Sequence, residues 1–151
     1  MNKIRIRAKD WILVCDGSKA LLLCNDGDAQ NLNLVEIRTT SNEGAPTRDL
    51  GDDRPGRVYG TAGGARSAVE TPDLHERDEQ NFLLGVAREV EKDIARGALQ
   101  RLLLVAPPRA LGILRASLTS APKNVIVGEI AKDFTKMPVH EIETRLEAYN
   151  H

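Results

Sequence analysis

The sequence predicts an α/β domain whose five-stranded mixed sheet runs in the order 3-2-1-4-5, with helices on both faces. Three observations carry that expectation. Three short apolar or half-apolar runs follow one another through tight turns within the first 38 residues. A long segment then shows apolar residues at every fourth position. The remainder alternates short apolar runs with helical patterns, which is the signature of a β-α-β unit.

The elements follow in order. Trp11–Cys15 (WILVC) is a short apolar run expected of a buried strand, and Asp16-Gly17 is a turn signal that returns the chain into Ala20–Cys24 (ALLLC). Asn25-Asp26-Gly27-Asp28 is a second turn, and a third strand is expected over about Asn31 to Arg38, carrying Leu32, Leu34 and Ile37. Strands joined by such short turns are antiparallel. A long helix is expected to start at Thr71-Pro72-Asp73, with Thr71 as cap and Pro72 in the first turn. Its stripe is Phe82, Val86, Val90 and Ile94, flanked by Leu83 and Ala87, and Gly97 ends it. The polar stretch before Phe82 is expected to project beyond the core.

Leu102–Val105 is a buried strand ended by Pro107-Pro108, and Arg109–Ser117 is a helix. Asn124–Ile130 is the last strand, and Pro138 opens a final helix with Val139, Ile142, Leu146 and Tyr149 on one side. The β-α-β half makes its two strands parallel neighbours. Placing the first strand beside Leu102–Val105 gives the order 3-2-1-4-5, an arrangement shared by ribonuclease H-like folds and release-factor middle domains.

Composition narrows the function. A chain of 151 residues with 41% hydrophobic and 28% charged residues suits one globular core. Aromatic residues make up 3%, so that core is aliphatic, and the net charge of −1 argues against a generically basic nucleic-acid binder. Cys15 and Cys24 sit in apolar runs, as buried free thiols do. The three histidines, His75, His140 and His151, lack ligand spacing, so neither metal nor cofactor is expected. The basic start MNKIRIRAKDW lacks an apolar signal core, and no apolar run approaches the roughly 20 residues that span a bilayer. The expectation is a cytoplasmic protein with no membrane insertion. Residues 1–10 read as a basic extension, either a mobile tail or a basic edge strand meeting phosphates, and 11–151 as the domain.

The stretch from Ser41 to Thr71 breaks every pattern. It holds six of the twelve glycines (Gly44, Gly51, Gly56, Gly60, Gly63, Gly64), four arginines (Arg48, Arg54, Arg57, Arg66) and five acids (Glu43, Asp49, Asp52, Asp53, Glu70). Unpatterned inserts longer than about 12–15 residues are commonly functional or disordered. Arg54, Arg57 and Arg66 are suited to RNA phosphates as forked donors, or to internal pairing with Asp49, Asp52 and Asp53. Gly63-Gly64 reads equally as a plain turn. Arg109, where a central strand hands over to a helix, is the strongest single candidate for anion contact, with a surface salt bridge as the alternative. Asp16 is open to two readings, a metal-binding carboxylate of a nuclease or a turn residue. His75, Glu76, Asp78 and Glu79 read as a solvated helix face or as a general-base cluster. No phosphate-binding or dinucleotide fingerprint is present.

Four groups of residues resemble the bacterial host attachment protein family: Trp11, Val14 and Asp16-Gly17; Arg48–Arg57 (RDLGDDRPGR); Val105–Gly112 (VAPPRALG); and Lys132–Lys136 (KDFTK). The resemblance covers almost all of the chain after residue 10. That family is similar in fold to the middle domain of archaeal and eukaryotic peptide-chain release factors, where a Gly-Gly-Gln loop before a long helix promotes peptidyl-tRNA hydrolysis. Here Gly63-Gly64 match, but Ala65 stands where the glutamine would be and has no amide to position water. The resemblance therefore implies a non-catalytic protein. It would bind a ribosome- or tRNA-related partner through Arg48, Arg54, Arg57, Gly63, Gly64 and Arg66, with Arg109 beside them. Two alternatives stand next to it: a protein-docking factor that affects host attachment, and a peptidyl-tRNA or RNA hydrolase. The oligomeric state is left open.

Overall fold

The computed structural model describes residues 5–42, 64–119, 121–122 and 124–149, with 64–75 described by backbone alone. Eight elements follow one another: β1 (Trp11–Cys15), β2 (Lys19–Asn25), β3 (Leu34–Ser41), α1 (Gly64–Ala95), β4 (Leu102–Val105), α2 (Pro108–Ser117), β5 (Ile126–Ile130) and α3 (Val139–Glu147). The sheet order is β3-β2-β1-β4-β5, as the sequence predicts. β1 and β2 are antiparallel, as are β2 and β3, whereas β1 is parallel to β4 and β4 to β5.

Alternation along the strands divides the core in two. Trp11, Leu13 and Cys15 of β1 and Leu102 and Leu104 of β4 face one side, where Leu83, Val86, Ala87 and Val90 of α1 and Leu111 and Leu114 of α2 pack on them. Ile12, Val14, Leu103 and Val105 face the other side, covered by Ile142 and Leu146 of α3 and by Phe134. Both central strands are buried along their whole length, so their periods of two are invisible in an all-apolar sequence.

Four differences from expectation stand out. β3 begins at Leu34 because the preceding residues are wound around the fully buried Asn25. Its amide nitrogen donates to the carbonyls of Arg7 (3.1 Å) and Asp28 (3.2 Å), and its oxygen accepts from the N–H groups of Gly27 (3.0 Å) and Asn33 (2.9 Å). α1 begins at Gly64, so Pro72 stands inside the helix and Thr71 is not its cap. Proline lacks an N–H and weakens one helical hydrogen bond there, but residues on both sides continue the helix. β5 starts at Ile126, two residues later than the apolar pattern suggests.

The fourth difference is at the start of the chain. Residues 5–10 form neither an edge strand nor a free tail. Ile6 is fully buried in the α3-side core. Asp10, also buried, accepts from the Arg7 N–H (2.8 Å) and from Arg101 Nε (2.8 Å), which pins the segment beside β4. At the other end of α1 the expectation holds: Gly97 has φ +80°, the left-handed stop that glycine makes at least cost.

Candidate functional site

β1, β4 and β5 are parallel, so their C-terminal ends lie on one edge of the sheet, where open α/β folds gather function. Three motifs that are distant in sequence meet there: Asp16-Gly17 after β1, Pro107-Pro108-Arg109 after β4, and Lys132–Lys136 after β5. β3 ends at the same edge, because Ser41 pairs with Lys19 and the Asn42 N–H donates to the Ser18 carbonyl (2.8 Å).

Asp16 organises this edge. Its Oδ1 accepts from the Ser18 N–H (2.8 Å), the Ser18 hydroxyl (3.2 Å) and the Lys19 N–H (2.9 Å), closing the β1–β2 turn. Its Oδ2 lies 3.1 Å from the Thr135 hydroxyl. Thr135 is buried, and the same hydroxyl lies 2.6 Å from Asp133 Oδ1, which also accepts the Thr135 N–H (2.9 Å). One hydroxyl hydrogen is thus shared between two carboxylates. Both oxygens of Asp16 are engaged in holding the turn and the β5 exit together.

A cleft of about 260 Å³ opens above this arrangement, between the Asp16–Ser18 turn, the first turn of α2 and α1. Glu79 and Leu83 of α1 form one wall, and Pro107, Arg109 and Ala110 the other. Glu79 lies against Gly17 so closely that a Cβ at that position would meet its Cγ and Cδ at 2.8 Å. Gly17 is not in the left-handed region; a Cβ there would press on the side chain of the exposed Glu79, which would have to shift. Arg109 is more than half exposed and stands 3.7 Å from the equally exposed Glu76 of α1, a loose surface pair. Residues 76–81 of α1 are exposed and packing begins at Phe82, as the polar stretch predicts. Lys132 and Lys136 are exposed on the same edge.

Beneath the turn, Cys15 is buried, and burial first, then the charges of Asp16 and Asp133, push its thiol up to about 12. It is a neutral core group and no nucleophile. Among the described residues no three His, Cys, Asp or Glu side chains gather as a metal-holding group. No described helix is long and apolar enough to cross a membrane.

With this geometry in place, comparison with known families decides the assignment. A family model described as "Protein required for attachment to host cells" matches residues 11–146. The chain belongs to this host-attachment family. A comparison with curated proteins returned no match.

The family match spans all three motifs of the shared edge. Of the residues singled out in sequence, Arg109 lines the cleft and Gly64 is the first residue of α1. Arg48, Arg54, Arg57 and Gly63 lie outside the described residues, as does the side chain of Arg66. Asp16 belongs to the turn, one of the two readings open for it. Thr135 and Glu79 are contributions that residue-by-residue reading did not single out as partners of Asp16-Gly17. The Asp133-x-Thr135 spacing is the local signal for the first, since an aspartate commonly accepts from the N–H two residues on. Glu79 has no signal short of the three-dimensional crossing of α1.

Proposed function

We propose that this host-attachment family member works by binding and not by catalysis, and that its partner is an RNA-rich assembly, the ribosome or tRNA. The observation that carries the reading is the convergence at one edge of Asp16-Gly17, Pro107–Arg109 and Lys132–Lys136, where the chain also departs from β3 toward its arginine-rich stretch. The two oxygens of Asp16 are already engaged by donors of the fold, which favours a structural carboxylate. Arg109, Lys132 and Lys136 supply exposed cations on this edge. In this reading Arg48, Arg54, Arg57 and Arg66 add forked phosphate donors, and Gly63 and Gly64 let backbone approach the RNA. The resemblance of the sequence's family to release-factor middle domains motivates the choice of partner, and Ala65 in place of glutamine motivates binding without hydrolysis. The protein then acts inside the cell, and its part in attachment to host cells is indirect.

The test is co-sedimentation with ribosomes and filter binding of tRNA across a salt series. Binding that weakens with salt, and weakens further in Arg109→Ala and in Arg54→Ala/Arg57→Ala, is expected. Absence of binding at low salt refutes the reading. A second reading is favoured by the family description itself: a surface or partner-binding protein that affects attachment to host cells by docking another protein. Cell fractionation separates the two, since native protein in the outer envelope supports only the second.

A further inference from the structure

On the far side of α1 from the cleft, a second hollow lies between the helix and the outer strands. It has a volume of about 300 Å³. Leu13, Ala20 and Leu22 floor it, and Phe82, Val86 and Val90 of α1 wall it. Asn81 and Thr40 stand at one end, and Arg38 and Glu89 at the other.

Two features mark it as a site. Gly85 occupies the middle of α1 on this wall, where glycine costs helix stability relative to alanine. A Cβ at Gly85 would meet nothing within 4 Å, so packing among the described residues does not require the glycine. It leaves the helix backbone open to an occupant. The second feature is charge. Arg38 Nη2 donates to Asp93 (2.8 Å) and Arg96 Nη2 donates to the same buried carboxylate (2.6 Å). Two guanidinium groups on one carboxylate leave one positive charge in excess. Glu89 does not cancel it, because Lys92 stands 3.6 Å away. Among the described residues the Arg38 side chain hydrogen-bonds to Asp93 through Nη2 alone, and it is one-third exposed at the end of an apolar hollow.

We infer that this hollow binds a small amphipathic carboxylate, with its apolar body along Gly85 and its carboxylate on Arg38. The arginine fork matches a carboxylate in geometry, and Asp93 holds it in one orientation. The volume is at the lower end of small-molecule sites, which suits a medium-chain aliphatic acid.

The experiment is calorimetric titration of the full-length protein with octanoate, with octanol as the uncharged counterpart. Saturable octanoate binding is expected, about tenfold or more tighter than octanol. Arg38→Gln removes that preference while Asp93 keeps Arg96 as partner. Gly85→Leu fills the hollow and abolishes binding of both probes, and its melting temperature stays at or above that of the parent. The inference is overturned if octanoate does not bind, if octanol binds as tightly, or if octanoate binding survives in well-folded Gly85→Leu. Because the hollow shares no side chain with the Arg109 cleft, the outcome is independent of ribosome or tRNA binding.

Discussion

The Thr135 hydroxyl reaches across to Asp16 Oδ2 at 3.1 Å, joining the exit of β5 to the exit of β1 over 119 positions of sequence. Of the three residues in this arrangement, Asp16 lines the cleft that Arg109 overlooks.

Thr135→Val removes a buried hydroxyl and strands one oxygen of Asp16. A loss of about 1–3 kcal/mol is expected in urea unfolding. Thr135→Ser keeps the donor and retains most of the stability. If valine is tolerated as well as serine, the hydroxyl does not hold the edge together.

Gly17 and Glu79 form a steric pair. Gly17→Ala brings a Cβ against the side chain of the exposed Glu79, which must shift, and is expected to cost about 0.5–1 kcal/mol. Adding Glu79→Ala removes most of that cost. A double-mutant cycle by chemical denaturation measures the coupling, and additive losses contradict a direct clash.

Cys15 makes stability pH-dependent in the alkaline range. Its thiol ordinarily ionises near 9.0 and is pushed up to about 12 in the fold. Above the lower value the unfolded chain loses a proton that the folded chain keeps, so stability falls as pH rises between the two. The slope from this group is about 1.4 kcal/mol per pH unit. Cys15→Ala flattens the profile by that amount, read from unfolding curves between those limits. Equal slopes in both proteins would show that the thiol is not held neutral by burial.

Much of the sheet is legible in local pattern. WILVC, ALLLC and LLLV are apolar enough for either a buried helix turn or a strand, and their short lengths and flanking Gly, Asp and Pro turns select strands, while the β-α-β half makes a parallel pair. The four-residue stripe of α1 and the Ile142/Leu146 pair of α3 also read directly. Places where the reading departs from the structure are those where a polar group is satisfied by distant chain. Asn25 holds Asn33 and Asp28 holds Asn31, which keeps this stretch in a loop and delays β3. Asp10 and Arg101 seat the first residues, so that Ile6 enters the core instead of trailing free. Asp93 lies on the buried side of α1, three residues beyond Val90, yet its two arginines come from β3 and from the helix end.

The site divides in the same way. Sequence alone determined the strand order, the membership of Arg109 at a strand-to-helix junction and the burial of Cys15 in an apolar strand, because these follow from apolar runs, prolines and turn residues within a few positions. Only the tertiary structure decided that Asp16 is held by Thr135, that Gly17 is cleared for Glu79 and that Arg38 shares Asp93 with Arg96. Each of those is a contact between segments whose separation carries no periodic signal, and it exists only once burial of the two apolar faces has fixed where the helices cross the sheet.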